Sequence, residues 1–417
     1  MSHRFWATLA RVSILYLCFF YDQGWGSSCQ TLSTVKEVLA CVVEAHPRVI
    51  ASKLEIEKAG KLEDVARQRQ NPNLTTRNLF PVSSQASGVS SEVDLSQPIE
   101  LGGKRKGRIE SARAWGILAS TSLRVVEESI LLETLLHLYR LRQIENELEV
   151  YDETISTYGH IQKQFKRRSR LTPEQQVATS VFHLAEVDTL FQKTSLLTEK
   201  NALLSAMEYA LGQKFTLQTS LLPVLSLDAV KKTSESKVVK SNSLVEQSKA
   251  HIHLSQAEIE SQKTQRWPNL NLGPSYDGNS LGGKGENHTV GFNLSFAIPI
   301  LQHNKAGIIL ARQEAAMTEK NLELQLKSIE VQKKKWKLQH DLAISALESG
   351  IKSEDIESKH KKIESLYNRG FLPSSMVIEA HRQVLDYTRH QHEQEILATE
   401  SRYQLYILEG RLFEEVL

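Results

Sequence analysis

Three prolines constrain this chain most, because each of them recurs about 200 residues later and in the same order. The matched positions are Pro72 and Pro268, Pro98 and Pro299, and Pro173 and Pro373. Neighbouring residues agree: Asn71-Pro72-Asn73-Leu74 corresponds to Trp267-Pro268-Asn269-Leu270, and Gly107 to Gly307. A fixed repeat distance predicts two tandem copies of one unit. We place them at 29–222 and 242–417, with a linker at 223–241.

Long helices are predicted within each copy. More than 70 residues without proline separate Pro98 from Pro173, and the same holds between Pro299 and Pro373. Both stretches are rich in Leu, Glu, Lys, Gln and Arg, which favour helix. Apolar residues at intervals of seven, such as Leu118 and Val125, give the first stretch one apolar face. We expect helical hairpins at about 103–211 and 304–408, and shorter helices at 34–70 and 242–266.

Strands are predicted only between those helices. Val290, Phe292, Leu294, Phe296 and Ile298 alternate with smaller or polar residues, which is the period of a strand with one apolar face. The alternation indicates a strand pair at about 269–299, joined by a turn rich in Gly and Asn. A weaker pair is expected at about 73–98. Strands of about ten residues are long enough to cross a bilayer when tilted.

Four strands cannot close a barrel, and an open strand edge in lipid leaves backbone groups without hydrogen bonds. Closure therefore requires several copies of the chain, and three copies would supply twelve strands. The predicted fold class is mainly α with membrane β-strands. Two tandem repeats of helix-strand-strand-helix-helix would form a trimeric 12-stranded β-barrel continuous with a long α-helical barrel.

The N-terminus has the order of a bacterial secretory signal. Basic residues precede an apolar stretch at 12–21, and small residues follow before Cys29. We predict a signal peptide at 1–28. Cys29 is then a candidate for lipidation as the first mature residue. A disulfide between Cys29 and Cys41 in an oxidising compartment is the further alternative.

Composition and motifs argue against several other classes of protein. With 51 basic and 49 acidic residues, the net charge of +2 does not favour a nucleic-acid partner. The cysteines are confined to the N-terminal region and no nucleophile elbow is present, so nothing supports an enzyme. His251 with His253 and His390 with His392 are two residues apart, whereas chelation on a helix favours three or four. We therefore expect no catalytic residues, no metal site and no cofactor.

Residues 95–105, LSQPIELGGKR, carry the most specific motif of the chain. It resembles the strand-to-helix signature of the outer-membrane efflux protein family, the TolC-like channels. The form is closest to the subgroup that serves cobalt-zinc-cadmium (heavy-metal) resistance pumps. Residues 294–304 resemble the second-copy counterpart of this signature. Tyr367-Asn368-Arg369-Gly370 resembles the family's Y-x-x-G at the hairpin tip, and Glu379-Ala380-His381-Arg382 its D-A-x-R, with Glu in place of Asp.

The resemblance implies a homotrimeric exit duct in the outer membrane of a Gram-negative bacterium, with its helices in the periplasm. The implied partners are outer-membrane lipid, a periplasmic adaptor (membrane fusion) protein and an inner-membrane RND-type transporter. It also implies a gate at the tip, with candidates Tyr367, Gly370 and Glu379. Two departures stand out, because Met376 replaces the other acidic tip residue and Arg170 replaces the first tip glycine.

A charge cluster at the first tip suits an adaptor contact, because such clusters steer association. The docking candidates are Arg167, Arg168, Arg170, Leu171, Arg369 and Phe371. A solvated hairpin tip would present the same residues. Two alternatives to a heavy-metal efflux channel remain open. One is a periplasmic coiled-coil adaptor or scaffold, and the other is the same type of channel used for organic-compound export or type I secretion.

Overall fold

The computed structural model describes most of the chain that follows the predicted signal peptide. The described residues are 29, 32–80, 88–223, 242–280, 286–351 and 353–417. The predicted signal peptide at 1–28 lies outside them. So does the predicted linker at 223–241, apart from its first residue.

Long helices dominate the fold. In the first half of the chain they are α1 (Val35–Ala45), α2 (Pro47–Arg67), α3 (Lys104–Lys166) and α4 (Pro173–Leu211). In the second half they are α5 (Ser243–Thr264), α6 (Lys305–Ser349), α7 (Ser353–Asn368), α8 (Ser374–Leu408) and α9 (Leu412–Val416). A short 3₁₀ turn, Thr219–Leu221, follows α4. The prediction of a mainly helical chain with a small antiparallel sheet is confirmed.

The first helix was predicted to run without a break over 34–70, and the structure divides it at His46. Pro47 occupies the first position of α2, and a residue before proline is driven out of the helical region. His46 is accordingly extended, and its Nδ1 accepts the backbone N–H of Arg48 at 3.1 Å. The side chain therefore caps the helix that the proline begins.

The first arm of the second hairpin is also divided, whereas the sequence predicted one helix from 304 to the tip. Gly350 is extended and ends α6, and α7 begins at Ser353. The hydroxyl of Tyr387, on α8, satisfies the interrupted backbone. It accepts the N–H of Ile351 at 2.5 Å and donates to the Ile351 carbonyl at 3.0 Å. A β-carbon on Gly350 would lie 2.8 Å from that hydroxyl, so a side chain at this position would displace Tyr387 from the contact.

Four strands form one antiparallel sheet in sequence order. They are β1 (Asn73–Leu79), β2 (Val89–Glu100), β3 (Asn269–Ser280) and β4 (Glu286–Phe296). The β2–β3 pairing joins the two halves of the chain, with Ile99 opposite Leu270 and Val93 opposite Tyr276. β1 and β4 each have one neighbour, so the sheet has two open edges.

The register gives the sheet one apolar and one polar face. Leu272 lies opposite Leu294, and Tyr276 lies opposite Val290. The face that these pairs share also carries Leu74, Val93, Leu95, Ile99, Leu270, Phe292 and Phe296. Its side chains are largely solvent-exposed in the single chain, up to 79% for Val290. The opposite face carries mostly Asn, Ser, Thr, Asp and Glu.

Strand β2 passes into α3 through two glycines in the left-handed region, Gly102 at φ 68° and Gly103 at φ 81°. A β-carbon on Gly102 would lie 2.1 Å from the ring of Trp267. The predicted strand-to-helix transition is therefore present, and it depends on glycine for both conformation and space.

The largest core lies where α1 packs between α3 and α4. Cys29 and Cys41 form a disulfide in this core, and Gln213 donates to the Cys29 carbonyl at 2.9 Å. A second core buries Leu412 and Val416 of α9 against α1 and α3. A lipid on Cys29 and this disulfide are alternative fates of one sulfur atom.

Candidate functional site at the hairpin tips

The two helical hairpins turn at the same end of the molecule, at 167–172 and 369–373. Thr172 caps the first turn of α4, since its hydroxyl accepts the N–H of Gln175 and the Gln175 side chain accepts the N–H of Thr172. Pro173 occupies the first helical position. These residue types begin a helix sharply, so α3 and α4 are joined by a tight turn.

Gly370 ends α7 with φ 76°. The N–H of Phe371 donates to the Leu366 carbonyl at 3.0 Å, and that of Gly370 to the Tyr367 carbonyl at 2.8 Å. This pair of hydrogen bonds is the Schellman motif, which requires a left-handed residue at the position of Gly370. The role that the structure gives Gly370 is therefore to end the helix.

An apolar cluster joins the two hairpins just above the turns. We call it the tip cluster, and its buried members are Tyr158, Ile161, Phe165, Phe182 and Val377. Leu171, Ala178, Ala185, Tyr367 and Ile378 pack against it, half-buried. Its rings meet at an angle, with Phe182 to Tyr367 at 6.2 Å between centroids. The cluster takes side chains from α3, α4, α7 and α8, so it holds the tips of both hairpins together.

Tyr367, a predicted gate residue, lies at the edge of this cluster. Burial raises the pKa of the Tyr367 hydroxyl, against the opposing effects of a hydrogen bond with Ser374 and the nearby Arg168 guanidinium. Arg168 belongs to the first turn and Tyr367 to α7. The two predicted sites, gate and docking cluster, are thus brought together at this point.

Glu379 lies on the exposed side of α8, and 47% of its side chain is accessible. Arg382 donates to both carboxylate oxygens, at 2.8 and 3.0 Å, and Gln383 donates at 2.9 Å. The hydrogen bonds from Arg382 and Gln383 hold the pKa of Glu379 below its ordinary value. Glu379 is charged, and its nearest counter-charge comes from its own helix.

The tip arginines Arg167, Arg168, Arg170 and Arg369 are all exposed. Arg168 lies 5.8 Å above the Phe165 ring. Among the side chains that the structure describes, no carboxylate lies within 4.0 Å of these four residues. Phe371 is 72% exposed, whereas Leu171 packs into the tip cluster. Among the described side chains, the tip therefore presents positive charge without a carboxylate partner, beside the exposed ring of Phe371.

Sequence reasoning missed His381, which is buried beneath Tyr158. Its Nδ1 lies 2.8 Å from the Val377 carbonyl, and its Nε2 lies 3.6 Å from Glu364. Glu364 in turn accepts the hydroxyl of Thr157 at 2.9 Å. His381 stands at the unspecified position of the D-A-x-R pattern, so the motif did not predict this contact between α3, α7 and α8.

A second polar contact between the hairpins lies further from the tips, and sequence reasoning missed it too. Glu147 of α3 is within 2.7 Å of both the Arg140 guanidinium and Nδ1 of His392, on α8. Arg140 also contacts Glu199 of α4 at 2.7 Å. These residues, which we call the mid-hairpin network, line a cavity of about 870 Å³. Charged residues in a helical sequence are ordinarily interpreted as a solvent-exposed face. The residues of the mid-hairpin network become a buried group only because α3 packs on α8.

Within the part of the chain that the structure describes, no group of three or more His, Cys, Asp or Glu could hold a metal ion. Among these same residues, no helix has the length and hydropathy needed to cross a membrane.

No protein-family model matches the chain, and no curated protein matches it in sequence. Solved structures do match its fold. The Neisseria gonorrhoeae MtrE outer membrane channel, in its open state, aligns with a TM-score of 0.69 and 14% identity. The alignment covers 91% of this chain and 90% of that one.

Two further solved structures align similarly. The Campylobacter jejuni CmeC outer membrane channel aligns with a TM-score of 0.68 and 12% identity, over 91% of this chain and 86% of its own. The outer membrane protein VceC of Vibrio cholerae aligns with a TM-score of 0.63 and 9% identity, over 90% of this chain and 96% of its own. A likeness at these identities establishes that this chain shares the fold of these outer-membrane proteins.

Proposed function

We propose that this chain forms the outer-membrane channel, or exit duct, of a tripartite efflux pump. One observation carries the proposal: a single-layer sheet with a bare apolar face and two open edges continues directly into long helical hairpins. Water is a poor solvent for such a face, and lipid is a poor solvent for open edges. Both are accommodated when several copies close the sheet into a ring within a membrane.

The helices favour the same ring. α6 lies at one side of the helical layer and carries exposed apolar residues at intervals of seven. They are Leu310, Met317, Leu324, Val331 and Leu338. α4 lies at the other side and carries Val177, Leu184 and Phe191 in the same way. Two different apolar stripes on opposite sides suit head-to-tail contacts, which close into a cyclic oligomer.

A homotrimer is the proposed closure, with twelve strands in the outer membrane and the hairpins in the periplasm. β3 and β4, at 12 and 11 residues, are long enough to cross a bilayer at a tilt. The solved structures of the same fold are outer-membrane channels, which supports this localisation.

The tips would dock to a periplasmic adaptor that is fed by an inner-membrane RND-type transporter. The unpaired arginines of the first tip, with exposed Phe371, suit an acidic partner surface with an apolar pocket. Tyr367 and the three copies of Glu379 would line the closing gate. Gly370 would shape this gate by ending α7 sharply at the tip.

Divalent heavy-metal cations are the proposed substrate class, on the resemblance of residues 95–105 alone. A duct needs no metal site of its own to pass metal. The same channel could serve organic-compound export or type I secretion. Metal accumulation in cells with and without the gene, measured beside efflux of an organic dye, separates these substrates.

The first test is single-channel recording in planar lipid bilayers beside a native mass measurement in detergent. We expect a mass of three chains and discrete conductance steps. A monomer that needs no detergent and leaves the bilayer silent would contradict the proposal and favour a periplasmic adaptor or scaffold.

A further inference from the structure

Positive charge is concentrated where the sheet meets the helices. The four segments at this level are 67–72, 100–108, 263–269 and 297–305. We call their nine basic residues the basic collar: Arg67, Arg69, Lys104, Arg105, Lys106, Arg108, Lys263, Arg266 and Lys305. The same segments hold one carboxylate, Glu100.

Part of the basic collar is neutralised within the chain. Arg108 pairs with Glu100, Arg67 with Glu63 at 2.6 Å, and Lys263 with Glu260 at 2.6 Å. Two more members have neutral partners. Lys104 donates to the Asn269 side chain at 2.7 Å, and Arg105 donates to the Arg67 carbonyl at 2.8 Å.

Four members remain exposed: Arg69, Lys106, Arg266 and Lys305. No carboxylate of the described residues lies within 4.0 Å of any of them. They come from the segments that follow α2, open α3, follow α5 and open α6, so they are distributed across the whole width of the sheet.

The basic collar adjoins the apolar face without a gap. Trp267 is 47% exposed, and the Arg266 guanidinium lies 5.7 Å from its ring. Ile300 and Leu301 are exposed at the same level, Leu301 almost completely. Tryptophan and basic side chains beside an apolar band are the signature of a membrane–water interface.

The other end of the sheet does not share this charge. The described residues near it include Arg77, but also Glu92 and Asp277, and Arg77 lies 3.8 Å from Glu92. The charge is therefore asymmetric along the strands, and it lies on the side of the helices.

We propose that the basic collar binds the anionic phospholipid headgroups of the leaflet that faces the helices. This inference rests on the proposed membrane channel and adds a lipid preference to it. Basic residues at the level of the headgroups attract negatively charged lipid within about one Debye length. Phosphates there would pair with Arg69, Lys106, Arg266 and Lys305, and this contact would fix the depth of the sheet in the bilayer.

The test is insertion of the detergent-purified full chain into two kinds of vesicle, one of phosphatidylcholine alone and one of equal parts phosphatidylcholine and phosphatidylglycerol. Flotation measures the inserted fraction. The collar variant combines Arg69→Gln, Lys106→Gln, Arg266→Gln and Lys305→Gln. A control variant replaces four exposed lysines outside the collar with Gln, at Lys214, Lys334, Lys335 and Lys362, and so changes the net charge equally.

We expect the chain and the control variant to prefer the anionic vesicles by about tenfold, and salt to weaken that preference. The collar variant should lose it while keeping its native mass and its conductance. Equal insertion of the unmodified chain into both vesicles would overturn the lipid inference and leave the channel standing. Failure to enter either kind of vesicle would overturn the channel itself.

Discussion

At the scale of single residues, the mid-hairpin network shows how a buried charge is tolerated between two hairpins. Burial by itself raises the pKa of Glu147. The hydrogen bonds from His392 and Arg140 outweigh it and leave the pKa below its ordinary value. Burial lowers the pKa of Arg140, but its hydrogen bonds to Glu199 and Glu147 outweigh burial and raise it. Glu147 is therefore held as a carboxylate by partners on both hairpins.

Replacing Glu147 with Gln should destabilise the fold strongly. The change leaves buried His392 without its carboxylate and removes one of the two carboxylates that pair with Arg140, and loss of one partner of a buried pair costs about 3–5 kcal/mol. The free energy of unfolding in detergent, from denaturant titration, measures this. The matched control is Glu199→Gln, since Glu199 also pairs with Arg140 but is 44% exposed, and it should cost about 0–1 kcal/mol. Equal costs for the two variants would contradict the role given to Glu147.

The lowered pKa of the Glu147 carboxyl predicts that the stability of the fold depends on pH. A carboxyl whose folded pKa lies below its unfolded value stabilises the folded state at higher pH, and this contribution is lost as pH falls through the folded pKa. For Glu147 the loss should begin below about 4.5, its ordinary value. Thermal unfolding over this acid range should show a steeper fall for the unmodified chain than for Glu147→Gln. If the unfolding temperatures of the two proteins fell in parallel with pH, the pKa of Glu147 would not be lowered in the folded state.

At the scale of helices and strands, the sequence allowed most of the architecture to be predicted. Period-2 alternation located β4, and the long stretches without proline located α3 and α4. The break at Gly350 was missed because a single glycine in a helix-forming stretch does not end a helix by itself. Tyr387, 36 residues after Ile351, hydrogen-bonds the backbone N–H and carbonyl of Ile351 at the break. Contacts of this kind, like the β2–β3 pairing and His392 with Glu147, join distant parts of the chain and leave no local pattern.

The apolar stripe on α6 predicts a variant that separates the copies. Leu324 is 53% exposed and lies on the stripe, and a carboxylate there would be buried without a partner in the ring. We expect Leu324→Glu to shift the native mass in detergent from three chains to one, with circular dichroism unchanged.

Leu326 provides the matched control for this experiment. It is 46% exposed, similar to Leu324, but it lies two residues further on, about 200° around the helix. Leu326→Glu should therefore leave the mass at three chains. Dissociation of both variants, or of neither, would show that the stripe is not the contact between copies.

At the scale of the whole molecule, the single chain is incomplete in two places. Its sheet has unpaired edges on β1 and β4, and its helical layer has apolar stripes on α4 and α6. A ring of copies would cover both. It would also bring the three Glu379 side chains, each with its own Arg382, around one axis near the tips.

This arrangement predicts opposite changes of ion selectivity for two variants of one ion pair. Glu379→Ala leaves three Arg382 guanidinium groups near the axis with only the longer contact to Asp386, at 3.7 Å, so conductance should rise and cation preference should fall. Arg382→Gln leaves three unpaired carboxylates and should raise cation preference. The reversal potential of purified channels in a potassium chloride gradient measures both. Unchanged conductance and selectivity in both variants would remove Glu379 from the gate.

The open edges of the sheet also have a genetic consequence. Because each copy would depend on its neighbours to complete the sheet, one defective copy would inactivate the whole ring that it enters. Consider a cell that makes equal amounts of normal copies and of blocked copies that still assemble. If three copies form a ring, only about one ring in eight would contain three normal copies. Mutations that spare the ring contacts but close the duct should therefore behave as dominant, whereas mutations that prevent the copies from meeting should behave as recessive.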